Sequence, residues 1–238
     1  FKFINGGREQ FDFIFADPPY ELKELGTLPE LIFKNNLLKE NIQAQSILQV
    51  GNTIVDMIQY VLEKEKIGIT YENQVFITAH RRENIGKPLE NIATAIKELA
   101  VENPEIEFHW ALHPNPNTRK NILSVFDKKP QNIIFTEPLD YVEAITKMAA
   151  SKLLISDSGG IQEEAPSLHK RVLILRNETE RPEVIDCHCG ILVGDDIIKI
   201  KEKFYQIWNN PSEYIFEGEN NPFGDGKASE RIYKQLLK

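Results

Sequence analysis

The chain has 238 residues, of which 41% are apolar and 27% charged, and its formal net charge is −8. These values are typical of a soluble globular protein with one large domain or two small ones, and the acidic balance argues against a surface built mainly to bind nucleic acid. No apolar run is long enough to span a bilayer, and two cysteines are too few for a disulfide scaffold, so we expect a cytoplasmic protein.

The first part of the chain differs in pattern from the remainder. Residues 11–16 predict a strand that ends in the sequence DPPY at residues 17–20, because two prolines stop a strand and stiffen its exit. Residues 22–35 predict one helix or two short ones. We therefore predict a short strand-and-helix appendage over residues 1–42 and a separate domain over residues 43–238.

Strands and helices alternate through this second domain. Its first helix is predicted to begin after Asn52 or Thr53, where apolar residues recur at helical spacing. Further strands are predicted over residues 74–79, 106–112, 133–135, 152–156, 172–175 and 190–193. Further helices are predicted over residues 89–101, 122–126, 141–150, 162–168, 196–208 and 227–237. Such alternation indicates an α/β fold, a doubly wound parallel sheet with helices on both faces.

The sequence SDSGGIQEEAP at residues 156–166 carries the strongest functional signal. It follows an apolar run that predicts a buried strand, and Gly159 and Gly160 open the next predicted helix. A strand, a glycine turn and a helix start together present backbone N–H groups to a phosphate. A carboxylate one turn further could accept hydrogen bonds from ribose hydroxyls. The alternative is a tight turn followed by an ordinary helix start.

Polar and basic loops follow three other predicted strands. HRREN at residues 80–84 supplies a histidine and two arginines, HPNPN at residues 113–117 is a stiff polar loop, and Arg181 follows the strand at 172–175. Ligands of open α/β sheets bind outside the carboxyl ends of the strands, and arginine suits phosphate. Taken singly, HRREN could be a solvated basic turn, HPNPN could be an ordinary turn, and Arg181 could belong to a surface ion pair. Together they predict a phosphate site at one edge of the sheet.

Cys187, His188 and Cys189 suggest a metal site at first sight. Zinc-binding pairs sit two to four residues apart and need further ligands, whereas these cysteines are separated by one residue and no second pair exists. We predict no metal and two thiols that act as small apolar side chains.

Seven motifs in order resemble the C-terminal half of the non-hydrolysing UDP-N-acetylglucosamine 2-epimerases of bacteria. They are GNTIVD at 51–56, HRREN at 80–84, HPNPN at 113–117, EPLDY at 137–141, the segment 157–167, TERPE at 179–183 and NPFGDGKAS at 221–229. The resemblance implies a Rossmann-like domain of a glycosyltransferase-B-like fold, with the active site in a cleft between two domains. It implies interconversion of UDP-GlcNAc and UDP-ManNAc by elimination and re-addition of UDP, without a redox cofactor.

The resemblance also implies roles for individual residues. Backbone and hydroxyl donors of Ser158, Gly159 and Gly160 would hold the UDP diphosphate, Glu164 the ribose and Leu139 the uracil, while His80, the catalytic candidate, and Arg181 would lie near the diphosphate. Arg81 and His113 match positions of a second, regulatory UDP-GlcNAc site. The carboxylates that remove the C2 proton belong to the family's N-terminal domain. We therefore expect a UDP-binding half that is weakly active or inactive alone, and a homo-oligomer is one candidate assembly.

Residues 1–42 resemble a fragment of the 16S rRNA guanine-N2 methyltransferases, in which DPPY and the strand before it match the catalytic loop and a similar helix follows. The resemblance implies that Asp17 and the carbonyl of Pro18 hold the target amine and that Tyr20, after Pro19, stacks on the base. The glycine-rich S-adenosylmethionine loop that would precede this motif is not in the sequence. Two further interpretations stay open: a methyltransferase remnant, and a non-catalytic module that binds nucleotide sugars.

Overall fold

The structure of the protein is a computed structural model that describes residues 48–210, 214–216 and 221–237. Val50–Lys238 forms one compact unit. The strand and helix predicted within residues 1–42 lie outside the described residues. Within the described part of the chain, no helix is both long and apolar enough to cross a membrane.

Six parallel strands form a single sheet in this unit. They are β1 Glu72–Thr78, β2 Glu107–Ala111, β3 Ile133–Thr136, β4 Ser151–Ser156, β5 Val172–Ile174 and β6 Gly190–Leu192. Their order across the sheet is β3-β2-β1-β4-β5-β6, and every neighbouring pair is parallel. The chain therefore winds outward in both directions from β1 and β4. In doubly wound sheets of this order, ligands bind at the carboxyl ends of the two central strands.

Helices cover both faces of the sheet. They are α1 Thr53–Lys64, α2 Lys87–Glu102, α3 Pro116–Leu123, α4 Tyr141–Ala150, α5 Gly159–Glu164, α6 Pro182–Asp186, α7 Ile197–Trp208 and α8 Ala228–Leu236. Alternate residues of β1 point to opposite faces: Val75 and Ile77 pack with α2, α3 and α7, whereas Phe76 packs with α1, α4 and α5. Because both faces are covered, the central strands carry continuous apolar segments at their middles, residues 75–77 in β1 and 153–155 in β4. The predicted doubly wound α/β fold is confirmed.

Capping explains most helix starts. The side chain of Asn52 accepts a hydrogen bond from the N–H of Ile54 at the start of α1, and Asp140 and Glu143 form a capping box at the start of α4. The Asp196 side chain caps α7 in the same way. These three helices begin within one residue of their predicted starts.

Two predicted helices have different bounds in the structure. The helix predicted over 122–126 is α3, which begins six residues earlier because Asn115 caps it and Pro116 occupies the first position. The helix predicted over 162–168 starts at Gly159 as α5 and continues as a 3-10 turn, Ala165–Leu168. The short helix α6 was not predicted.

The first and last helices of the unit are held together by a terminal clasp, defined here by Asn52, Asp56, Phe223, Ala228 and Ser229. The N–H of Asn52 donates to the carbonyl of Phe223 over 2.8 Å. The carboxylate of Asp56 accepts hydrogen bonds from the N–H groups of Ala228 and Ser229, at 3.1 and 2.7 Å. This carboxylate therefore caps α8 from another helix.

Candidate functional site

Asp157 organises the edge of the sheet where β1 and β4 end. It follows β4 directly and is fully buried. Its Oδ2 accepts hydrogen bonds from the backbone N–H groups of His80 and Arg81, at 2.9 and 2.8 Å, and from Nδ2 of Asn84 at 2.9 Å. Its Oδ1 is buried and has no hydrogen-bond partner among the described residues. One carboxylate oxygen thus fixes the loop that carries the predicted phosphate ligands.

Asn84 connects this loop to a third strand. Its side-chain Nδ2 donates to Asp157 and also to the carbonyl of Leu175, which follows β5, over 3.2 Å. Asn84 is itself buried. The loops after β1, β4 and β5 therefore meet in one hydrogen-bonded group.

Charged side chains surround this group in pairs. Arg176 is within 3.1 Å of Glu83 and forms a two-point ion pair with Glu180, and Arg81 lies 3.8 Å from Glu180. The Glu180 hydrogen bonds hold the pKa of the Arg176 guanidinium above its usual value. HRREN is therefore more than a solvated basic turn, because its glutamate and one arginine contact the loop after β5.

His80 and His113 form a stacked pair. His113 lies just beyond β2, and the two ring centroids are 5.0 Å apart with an angle of 25° between the ring planes. The N–H of Asn115 donates to Nδ1 of His113 over 3.1 Å. Burial, and then the nearby charge of His80, lowers the pKa of His113, while the charge of Asp157 acts in the opposite direction.

The glycine-rich helix start lies at the same edge of the sheet. Ser158 precedes α5 without a side-chain cap bond, and its backbone N–H donates to Oγ of Ser156. A Cβ atom added to Gly160 would have only the Ser158 hydroxyl nearby, at 3.7 Å. Ser158 therefore differs from an ordinary N-cap residue, which would bond to the first turn.

Arg181 joins α5 to the loop after β5. Its Nε donates to the carboxylate of Glu163 on α5, and the side chains of both residues are largely buried. Thr179 in the same loop donates through its hydroxyl to Gln162, which is fully buried. The surface ion pair considered from the sequence is thus a buried contact at the sequence-predicted site.

Glu164 and Tyr141 bring in a further loop. Glu164 is buried near the end of α5, and the hydroxyl of Tyr141 at the start of α4 hydrogen-bonds to it. Burial raises the pKa of Glu164 to about 7, a shift that the Tyr141 hydrogen bond opposes and the charge of Glu163 reinforces. Leu139, two residues before Tyr141, packs on the apolar cluster that includes Ile161 of α5.

Replacing Tyr141 with phenylalanine is expected to raise the pKa of Glu164 further, because the hydrogen bond that favours the carboxylate is lost. At neutral pH a larger fraction of Glu164 would then be protonated. Carboxyl-carbon NMR of the labelled protein measures this titration. Tyr60→Phe, a change at an exposed tyrosine of α1, should leave it unchanged. An identical Glu164 titration in the wild type and Tyr141→Phe would contradict the prediction.

The two cysteines are free thiols. Cys189 is buried, with its Sγ 3.0 Å from the carbonyl oxygen of Lys170, and Cys187 is half-buried. A hydrogen bond from the Cys189 thiol lowers the pKa of Cys187 to about 6. Cys189 belongs to the apolar cluster on the α1 and α4 side of the sheet and Cys187 packs against it, so the expectation of two small apolar side chains stays a prediction. In the ranges that the structure describes, no group of three or more His, Cys, Asp or Glu residues is placed to hold a metal ion.

Comparison with known proteins assigns the family. The family model described as UDP-N-acetylglucosamine 2-epimerase matches residues 24–237. The chain belongs to the UDP-N-acetylglucosamine 2-epimerase family. The match includes residues 24–42, which lie in the segment that we compared with methyltransferases. The division of the chain at residue 42 therefore stays a prediction.

Several epimerase relatives support this membership. The UDP-N-acetylglucosamine 2-epimerase of Neisseria meningitidis is 42% identical over 221 residues, which are 86% of this chain and 59% of the relative. The Bacillus subtilis enzyme is 37% identical over 212 residues, which are 86% of this chain and 55% of the relative. The chain thus spans less than three fifths of the length of either enzyme.

Solved epimerase structures share the fold. The crystal structure of the N. meningitidis enzyme bound to UDP-GlcNAc is 40% identical, with a TM-score of 0.75, and the match covers 86% of this chain and 58% of that one. The Methanocaldococcus jannaschii enzyme, in complex with UDP-GlcNAc and UDP, is 34% identical with a TM-score of 0.67, over 87% of this chain and 59% of that one. A Rickettsia africae glycosyltransferase, 15% identical with a TM-score of 0.54 over 90% of this chain and 62% of that one, shares the fold alone.

The structure brings most of the sequence-predicted site residues to one edge of the sheet. The residues on or beside the connected loops after β1, β2, β4 and β5 are His80, Arg81, His113, Ser158, Gly159, Gly160, Glu164 and Arg181. Leu139 lies next to this group, because Tyr141, two residues further along the chain, hydrogen-bonds to Glu164 and Leu139 itself packs on the cluster that includes Ile161. The roles given by resemblance to the diphosphate, ribose and uracil contacts are taken up as proposals below, and the regulatory roles of Arg81 and His113 stay predictions. Asp17, Pro18, Pro19 and Tyr20 lie outside the described residues.

Sequence analysis missed two residues that organise this edge, Asp157 and Asn84. A signal was present for Asp157, because an acidic residue placed directly after a buried apolar strand needs donors from a neighbouring loop. Asn84 gave no comparable signal, since its role depends on the spatial position of the loop after β5.

Proposed function

We propose that residues 43–238 are the UDP-binding half of a non-hydrolysing UDP-N-acetylglucosamine 2-epimerase. The observation that carries the proposal is the joining of three strand-exit loops by Asp157 and Asn84 where β1 and β4 diverge. This is the position at which doubly wound sheets bind nucleotides. Family membership, and the relatives solved with UDP-GlcNAc or UDP, support the same ligand.

The proposed roles follow from the chemistry of each group. The hydroxyl of Ser158 and the N–H groups of Gly159 and Gly160 bind the diphosphate, and Arg181, beside α5, adds positive charge. The carboxylate of Glu164 accepts hydrogen bonds from the ribose, and Leu139 offers an apolar surface to the uracil. Because Glu164 has a pKa of about 7, ribose binding favours its ionised form.

The proposed reaction is the interconversion of UDP-GlcNAc and UDP-ManNAc by elimination and re-addition of UDP. As the C1–O bond breaks, negative charge builds on the departing diphosphate. His80, the proposed catalytic residue, and the N–H groups before α5 stabilise that charge. We assign no described carboxylate to removal of the C2 proton, and the chain spans under three fifths of its curated relatives. The proposal therefore expects little or no turnover from this chain alone.

Calorimetric titration with UDP tests the binding site. We expect a dissociation constant at or below about 1 mM, and about tenfold weaker binding by Glu164→Gln, since a charged acceptor for the ribose hydroxyls is lost. The matched control is Glu202→Gln, which removes the same charge from an exposed position on α7. Absence of heat and of competition at about 1 mM UDP would reject the proposal.

A coupled assay for UDP-ManNAc separates a weakly active enzyme from a non-catalytic binding module. Robust turnover by the chain alone would show that it holds its own base.

The methyltransferase interpretation depends on Asp17, Pro18, Pro19 and Tyr20, and binding of S-adenosylmethionine would support it. Location in the cytoplasm and assembly as a homo-oligomer remain part of the proposal, and sedimentation measures the assembly.

A further inference from the structure

Cys187 and Cys189 are two thiols in contact at the turn that follows α6. Their side chains hydrogen-bond to each other. Cys187 has φ −81° and ψ 2°, and His188 between the two cysteines has a left-handed φ of 62°. Cα atoms two residues apart span at most about 7 Å even in an extended chain, and this turn shortens the span. A disulfide needs about 4.4–6.8 Å between its Cα atoms, so the pair can form one without a large backbone movement.

The two thiols differ in their access to solvent. Cys187 is half-buried, whereas Cys189 is fully buried in the apolar cluster and its Sγ lies 3.0 Å from the carbonyl oxygen of Lys170. A reagent in solution can therefore reach the sulfur of Cys187 directly. It can reach Cys189 only through Cys187.

The two thiols also differ in charge. A hydrogen bond from the Cys189 thiol, and then the N–H of Cys189 and the charge of His188, lower the pKa of Cys187 to about 6, although burial opposes the shift. The carbonyl of Val184, 3.5 Å from the sulfur, is the acceptor for the neutral form of this thiol. Burial raises the pKa of Cys189 well above its usual value, and the charge of Arg171 only opposes this. Near neutral pH the pair therefore consists of a Cys187 thiolate and a protonated Cys189.

We propose that Cys187 and Cys189 are a thiol pair that reacts with hydroperoxides and closes an intramolecular disulfide. The sulfur of Cys187 attacks one oxygen of hydrogen peroxide, the O–O bond breaks, and a sulfenic acid and water form with one proton from solvent. The sulfur of Cys189 then attacks that of Cys187, the S–O bond breaks, and the departing hydroxide takes the Cys189 proton and leaves as water. The two sulfurs are oxidised and the peroxide is reduced to water.

This chemistry goes beyond the proposed function and does not depend on it. β6 begins at Gly190, directly after the pair, so the thiols lie at the edge of the sheet where the parallel strands begin. The proposed UDP site lies at the edge where they end. In the reduced chain Cys189 keeps the small apolar role predicted from the sequence, and Cys187 carries the reactivity. A disulfide across a single residue is strained, and strained disulfides are readily reduced, so we expect the oxidation to be reversible.

The test treats the reduced, full chain with hydrogen peroxide. The chain contains two cysteines, so only one intramolecular disulfide is possible. Intact mass spectrometry without reductant is expected to show the loss of one pair of hydrogen atoms, and iodoacetamide added after unfolding should then label neither cysteine. Dithiothreitol should restore both thiols. Circular dichroism before and after treatment checks that the chain stays folded.

Three variants separate the roles of the two thiols. In Cys189→Ala the peroxide should stop at a sulfenic acid on Cys187, which dimedone traps, whereas Cys187→Ala should leave its buried thiol unreacted. The midpoint of Cys187 alkylation with pH should be about 6 in the wild type and should move towards the usual thiol value of about 8.5 in Cys189→Ala. His188→Asn is the matched control, because asparagine tolerates a left-handed position, and it should still form the disulfide.

Several results would overturn the inference. They are a wild type that keeps both free thiols after peroxide treatment, one that gains oxygen at Cys187 while Cys189 stays free, and one whose chains are joined by a disulfide. Equal iodoacetamide labelling of Cys187 and Cys189 in the folded, reduced chain would contradict it as well, because Cys189 would then be open to solvent. If an alanine variant does not fold, the wild-type mass and labelling measurements still decide the question.

Discussion

Replacing Asp157 with alanine is expected to destabilise the protein by about 3–5 kcal/mol, because it removes the acceptor shared by three N–H groups. The N–H of His80, the N–H of Arg81 and Nδ2 of Asn84 would lose their common partner at a buried position. Since Asn84 also connects to the loop after β5, the change releases three loops at once. Urea unfolding followed by circular dichroism measures the free energy of unfolding.

Asp157→Asn is the matched variant. Its side-chain oxygen can take the place of Oδ2 and keep all three hydrogen bonds, so we expect a loss of only about 1–2 kcal/mol, caused by an amide donor at the unpartnered position of Oδ1. Asp127→Ala controls for removal of an exposed carboxylate, since Asp127 pairs with Lys97 at the surface, and should cost far less stability than Asp157→Ala. Equal losses for alanine and asparagine at position 157 would show that its hydrogen bonds do not stabilise the loops.

A second large effect, a change in the free energy of unfolding with pH, is expected from Lys170. Lys170 is fully buried before β5, its ammonium donates to the carbonyl of Thr70, and it lies 3.7 Å from the ring centroid of Tyr71. Burial lowers its pKa to about 7, although the charge of Glu72 opposes the shift. Between that value and the usual lysine pKa, the unfolded chain binds a proton that the folded chain lacks. The lysine contribution to stability therefore increases with pH in this window.

Lys170→Met removes this titration. We expect the stability of the wild type relative to Lys170→Met to increase by about 2–3 kcal/mol between about pH 7 and about pH 9.5. Urea unfolding at both pH values gives the difference, in which the other titrating groups cancel. Lys64→Met, at an exposed lysine of α1, should show no such trend. If the difference in the free energy of unfolding between the wild type and Lys170→Met did not change with pH, Lys170 would keep its charge in the folded state.

The sequence was sufficient for the fold and for the expectation that the candidate residues share one edge of the sheet. Strands such as β4 contain an uninterrupted apolar run bounded by polar residues, and helices such as α1 and α4 begin at capping residues that can be recognised locally. Strand-exit loops of a parallel sheet meet at one edge, so HRREN and the segment at 156–166 could be placed together before the strand order was known.

The details that failed depend on contacts between distant segments. The start of α3 was misplaced because Asn115 and Pro116 also suit a turn, whereas in the structure Asn115 caps the helix and Pro116 opens it. The connecting roles of Asp157 and Asn84 require the relative positions of three strands, and the ion pair of Arg176 with Glu83 joins two of the same loops. The stacking of His80 on His113 depends on β1 and β2 being neighbours, which a periodic pattern does not specify.

The terminal clasp gives residues 50–237 an almost cyclic path. The backbone N–H of Asn52 donates to the carbonyl of Phe223, and Asp56 caps the last helix. A circular permutant that joins the two ends through a short linker and opens the chain in the exposed turn at residues 127–129 would preserve every strand pairing of the sheet. Conversely, proteolytic removal of the clasp residues at one end of this unit would remove the hydrogen bonds that hold the other end. The two ends are therefore stabilised together.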